Sequence, residues 1–265
     1  MANAIYSADF LTASAYLKST ENTTFVASNV GSVTYPFRPW KANALILNEW
    51  VGVDLGISRS VTAVVADNIN FSLAKIQADT TATFNSVGGT DPAYDSGSQT
   101  VSQDPRDGRF KIFFAVTQTY RYWRIRCAAS STQDGADSAS VGSLLCLDSH
   151  VTLNGTMGFP YSATVKKATM GEGTGEPISI GNLHVELSLA STKYPDTVYP
   201  TFQTEFYTLL RQGKSTPLVF YRNNANTSEV YIVHRVGDVT VSRPGASHME
   251  FTQLRFREVG DLLAA

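Results

Sequence analysis

The sequence predicts a mainly β protein in two units, and three observations predict it. Runs rich in Val, Ile, Tyr, Phe and Trp, separated by Gly, Asp and Ser clusters, recur at short spacing through residues 50–147. That pattern favours an all-β sandwich. Residues 180–189 alternate, with Leu183, Val185, Leu187 and Leu189 on one face, as a half-buried strand requires. A single segment, residues 200–211, carries helical spacing instead.

Taken in order, residues 1–34 show weak alternation at Ile5, Phe10, Leu11, Phe25 and Val26 among Ser, Thr and Asn. They predict a leading strand or two plus loop. Residues 35–40 place Pro36 and Pro39 among aromatics, so this stretch is extended and cannot be a helix interior. Residues 45–47, 50–55, 61–68 and 73–78 read as strands. Residues 88–109 are rich in Gly, Ser and Asp and predict a long surface loop, a common place for function. Residues 110–116 and 120–127 are the densest aromatic strands, and residues 144–147 close the first unit, 1–148.

The second unit, 149–265, holds the alternating strand and then the helix candidate. Phe202, Phe206, Leu209 and Leu210 fall on one helical face, Thr201 can cap the start and Gly213 can end it. Strands are expected over 217–221, 229–236, 239–242 and 249–259. The expected architecture is an antiparallel β-barrel or sheet with one short helix near 201–211.

Composition narrows the function classes. The net charge is −2 and no Lys/Arg stripe stands out, which argues against nucleic acid as a partner. Neither a secretory leader nor an apolar run of the ~18 residues needed to cross a bilayer is visible, so a soluble chain made in a cytosol is expected, without membrane insertion. Charged residues make up only 17%, which points to surface covered by partners. Cys127 and Cys146 lie in apolar strands; two buried thiols are expected, with a disulfide between neighbouring strands as the alternative.

Trp50-Val51-Gly52-Val53-Asp54-Leu55-Gly56, the run Val61–Asn68 and Tyr122-Trp123-Arg124-Ile125 together resemble the galactose-binding-like, discoidin-type jelly roll over residues 35–148. A second resemblance rests on Phe202, Phe206, Leu209, Leu210, Gly213, Lys214, Pro217, Phe220, Tyr221, Leu254, Phe256, Glu258 and Val259, together with Gly142–Leu147 after the first unit. This two-part pattern resembles structural proteins of long-tailed bacteriophages, in particular distal-tail-protein-like components of the tail tip or baseplate. The resemblance implies a virion component assembled in the host cytoplasm. It further implies a homo-oligomeric ring joining the tail tube to the host-recognition apparatus, with other tail proteins (tube, hub, fibre) as partners.

Catalytic chemistry finds little footing. His150, His184, His234 and His248 are far apart, and His184 alternates with core positions, so it is expected to face outward. No HExxH, CxxC, G-x-S-x-G or P-loop pattern occurs, and Gly171-Glu172-Gly173-Thr174-Gly175 lacks the Lys and helix of a phosphate loop. No catalytic residue, cofactor or metal site is therefore expected, and the chain is expected not to be an enzyme. Asp91, Asp95, Asp104 and Asp107 share one loop that reads as solvated, with weak calcium binding a minor possibility. The serious alternative is a carbohydrate-binding module recognising a host surface glycan. Sugar sites combine an aromatic platform with polar groups; Trp40, Tyr94, Asp95 and Arg106 could supply them, although Trp40 beside two prolines also suits packing.

Overall fold

The computed structural model describes residues 13–31, 39–43, 48–84, 92–104, 109–128, 138–148, 218–221, 227–237 and 255–258 with side chains, and further strand segments by their backbone. The chain forms two compact units. One comprises Asp9–Ser149 with Ala225–Val230; the other comprises Met1–Ala8, His150–Asn224 and Tyr231–Ala265. The division at residue 148 expected from sequence is thus modified at the N-terminus. The first strand, β1 (Asn3–Tyr6), belongs to the second unit.

The first unit contains β2 (Ala15–Lys18), β3 (Trp40–Lys41), β4 (Trp50–Ile69), β5 (Leu73–Asp79), β6 (Tyr94–Asp95), β7 (Gln99–Thr100), β8 (Ser102–Gln103), β9 (Phe110–Cys127) and β10 (Ser140–Leu147), with a 3-10 turn at Ala27–Gly31. Two expected strand pairs, 50–55 with 61–68 and 110–116 with 120–127, are each one long strand. The run 88–109, read as a loop, holds the three short strands β6, β7 and β8. The sequence hid them because each is only two residues long, too short to show a period of two.

β4 and β9 pair over most of their lengths, in two stretches separated by an irregular bend. Trp50–Asp54 lie opposite Tyr122–Arg126 and Arg59–Asp67 opposite Lys111–Tyr120, with register shifts between Asp54 and Arg59 and between Val61 and Ala63. Extra residues on one strand kink an antiparallel pair. Gly56 sits in the bend at φ 78°, a backbone region that glycine enters without strain, and its N–H donates to Asp54 Oδ1 at 2.7 Å. On one side of the bend β2, β5 and β6 extend the sheet; on the other, β10, β3 and β8 do.

The two halves enclose one apolar core. Val51, Val53, Leu55, Ile76, Trp123 and Ile125 come from one half, and Val64, Ala66, Ile112, Phe114, Val141 and Leu144 from the other. The period of two explains the choice, because alternate side chains of each strand point to the same face. Trp40 and Trp123 have no exposed surface; burial of each large side chain contributes about 1.5–3 kcal/mol. Cys127 and Cys146 are both buried free thiols, so the disulfide alternative is not adopted. Burial pushes the Cys146 thiol far above its ordinary pKa.

The second unit is a seven-stranded antiparallel sheet built from β1, β11 (His150–Leu153), β12 (Tyr161–Lys166), β15 (His184–Leu189), β17 (Leu218–Tyr221), β18 (Val230–Val236) and β21 (Leu254–Glu258), in the order β11-β1-β17-β18-β21-β15-β12. β1 lies between β11 and β17, with Tyr6 opposite His150 and Ile5 opposite Phe220. Smaller sheets pair β13 (Thr169–Met170) with β14 (Ile178–Ser179), and β16 (Thr192–Pro195) with β20 (His248–Phe251) and β19 (Val241–Gly245). Leu218–Phe220, Tyr231, Val233 and Phe256 are buried. The helix expected near 201–211, residues 180–183 of the alternating strand, and the His184 side chain lie outside the described residues.

Candidate functional site

The face of β4, β9 and β5 that points away from the core carries the chemistry. While Val51, Val53 and Leu55 turn inward, Trp50, Gly52 and Asp54 turn outward; β9 contributes Tyr122, Arg124 and Arg126, and β5 contributes Lys75, Gln77 and Asp79. Pairing register sets four residues in a row across four strands: Gly52, Arg124, Gln77 and Asp95.

Hydrogen bonds follow that row. Arg124 Nε donates to Gln77 Oε1 at 2.7 Å, and Gln77 Nε2 donates to Asp95 Oδ2 at 2.6 Å. Lys75 Nζ stands 3.7 Å from the same Asp95 oxygen, and Gly97 N–H donates to Asp95 Oδ1 at 2.7 Å. Burial raises the Asp95 pKa, but the bonds from Gln77 and Gly97 and the charge of Lys75 outweigh it and hold the carboxyl below its ordinary value.

Aromatic rings enclose the guanidinium. Arg124 Cζ lies 4.9 Å from the Trp50 ring centroid and 4.5 Å from that of Phe84. Phe84 is itself tilted against Trp50 at 5.8 Å and stands edge-on to Tyr122 at 6.4 Å. Phe84 is buried, whereas Trp50 and Tyr122 remain half-buried on either side of it. Glycine at position 52 makes this packing feasible: a Cβ there would lie 2.5 Å from the Trp123 carbonyl and 2.9 Å from Arg124 Cβ. Arg124 keeps only 3% of its surface. Burial, and then the neighbouring Arg126 charge, bring its pKa down from 12.5 to about 10, so it stays cationic at neutral pH.

The residues proposed from sequence are not brought together. Trp40 is a correction: it is fully buried and its indole N–H donates to the Thr20 carbonyl at 2.9 Å, so it is a core residue and not a sugar platform. Tyr94 packs on Trp123 at 6.1 Å and is half-buried; burial and then the Asp95 charge raise its pKa. Asp95, exposed beside it, joins the polar row. Arg106, Asp91 and Asp107 lie outside the described residues. Asp104 is buried 3.8 Å from Lys111, not solvated in a loop. Among the described residues no group of His, Cys, Asp and Glu is placed to hold a metal ion. Sequence reasoning missed Trp50, Gln77 and Arg124 as one set, although alternation in β4, β5 and β9 is the signal that puts each on an outward face.

No family model matches the chain, and no curated protein matches it. Solved structures to which the chain is similar include a chitosan-binding module, a CBM32 module and a lectin domain. Chitosan-binding module 1 of a Paenibacillus chitosanase/glucanase, in a selenomethionine-labelled mutant form, is 19% identical with a TM-score of 0.38, covering 54% of this chain and 98% of that one. CpGH89CBM32-4 of Clostridium perfringens, solved with GlcNAc-α-1,4-galactose, is 12% identical with a TM-score of 0.35 over 52% of this chain and 92% of that one. The lectin domain of lectinolysin, solved with Lewis B antigen, is 15% identical with a TM-score of 0.36 over 52% of this chain and 96% of that one. At these scores the likenesses carry no functional argument.

Proposed function

We propose that the sandwich unit is a non-enzymatic glycan-binding module, and that the outward face of β4, β9 and β5 is its site. One observation carries this reading. Two half-buried aromatic side chains, Trp50 and Tyr122, flank a row of donors and acceptors whose geometry is fixed by hydrogen bonds across three strands. Sugars offer apolar C–H faces to aromatic rings and hydroxyls to fixed polar groups, and rigid strands hold such groups at little entropic cost. Lys75 and Asp95 at the open end supply a donor and an acceptor.

A glycan array with the intact chain, followed by calorimetry on any sugar that binds, tests the reading. Trp50→Ala and Tyr122→Ala are each expected to weaken binding about tenfold or more while the chain stays folded, as a lost aromatic contact implies. Undiminished binding in both variants would move the site off this face. No signal on the array would remove the function.

Assembly as a ring in a bacteriophage tail tip is a second reading. It draws on the sequence resemblance and on one observation, the exposed bend at residues 57–60, where Ile57 is 63% exposed. Native mass measurement of the intact chain and of Ile57→Asp tests it. A closed oligomer that dissociates in the variant supports it, and a monomer at high concentration counts against it.

A further inference from the structure

We propose that the glycan bound on this face is an acidic one, and that Arg124 receives its carboxylate. This rests on the glycan-binding reading and adds the chemical class of the ligand. A buried guanidinium has five N–H donors to satisfy and ordinarily meets a carboxylate. Among the described residues, the Nε–H bond to Gln77 is the sole side-chain hydrogen bond of Arg124, and no carboxylate stands within ion-pair distance of it. Among the described residues the terminal Nη groups, the pair that binds a carboxylate side-on, have no hydrogen-bond partner.

The carboxylates nearby are committed elsewhere. Asp95 accepts from Gln77 and Gly97 and faces Lys75. Asp79 accepts the backbone N–H groups of Thr80 and Thr81. Asp54 is held by Arg121 through two bonds, at 2.7 and 2.9 Å. Among the described residues Lys75 and Arg121 thus have counter-ions and Arg124 has none, while the Trp50 and Phe84 rings stand against its guanidinium. A uronic acid and a sialic acid share the required group, a carboxylate on a sugar ring, and both fit this chemistry.

Calorimetry on the intact chain decides the matter with matched pairs: oligogalacturonates against their methyl esters, and sialylated oligosaccharides against their asialo forms. The acid member of one pair is expected to bind about tenfold or more tightly than its neutral partner, with the advantage shrinking as salt is added. The pair that responds tells a uronate from a sialate. Arg124→Gln is expected to erase the advantage, and Arg59→Gln, at the exposed bend, to keep it. The ester comparison needs no variant, so misfolding of Arg124→Gln cannot mask the answer. Equal binding of acid and neutral members, lost in Trp50→Ala, overturns the acidic ligand and leaves the glycan reading intact. No binding to either pair, or to any sugar on the array, overturns both.

Discussion

Two cations lie buried in one strand, at opposite ends of β9, and they are treated differently. Lys111 is 1% exposed and stands 3.8 Å from Asp104, which has no exposed surface. Arg124 is 3% exposed and is given an amide and two aromatic rings in place of an acid. A buried charge without compensation costs several kcal/mol, so the first arrangement is what a fold does to bury a cation safely. The second leaves hydrogen-bonding capacity unused. The contrast separates a structural charge from one available to a ligand, within a single strand and under one set of physical rules.

The largest effect is expected where the comparison is starkest. Lys111→Ala removes the cation 3.8 Å from the buried Asp104 carboxylate and should lower stability by about 3–5 kcal/mol, read from the urea midpoint. Trp40→Ala belongs to the same range, about 3–5 kcal/mol, because it empties a fully packed site; sugar binding measured in the surviving folded fraction should be unchanged. Gly52→Ala should cost about 1–3 kcal/mol by overpacking, and the crowding it causes at Trp123 and Arg124 should weaken glycan binding as well. Arg124→Gln should cost only about 1–2 kcal/mol, the scale of a cation–π contact and a charged hydrogen bond. If its urea midpoint falls as far as that of Lys111→Ala, the two cations are alike and the distinction fails.

The smallest effect concerns pH. The hydrogen bond from Arg121, followed by the Gly56 N–H bond, holds the Asp54 pKa below its ordinary 3.8 against the opposing pull of burial. A carboxyl with a depressed folded-state pKa contributes stability above its unfolded value and loses it as pH falls through the folded one. Acid titration of the folded chain should therefore show a loss of stability developing below pH 3.8, and Asp54→Asn should flatten that part of the curve.

Much of the fold was legible because burial imposes a period of two on a strand. The aromatic runs around Trp123 and Phe114 announced a sandwich core, and the outward positions of Tyr122 and Arg124 followed from the same alternation. What stayed hidden depends on register between distant segments. Nothing local tells that Arg124 will face Gln77, 47 residues away, or that Gln77 will meet Asp95. Trp40 and Trp50 look equally eligible as platforms; only the Thr20 carbonyl waiting for the Trp40 indole places one in the core. The placement of Asn3–Tyr6 likewise depends on strands that come some 150 and 220 residues later.

That first strand has a consequence for how such a chain can change. Tyr6 and His150 face each other across β1 and β11, so the intervening polypeptide departs from and rejoins the seven-stranded sheet at a single rung. A tight turn could bridge that rung directly. All of the sandwich but Ala225–Val230 is therefore a single insertion at this rung, so its replacement or duplication in one recombination step would leave the β1–β11 pairing in place.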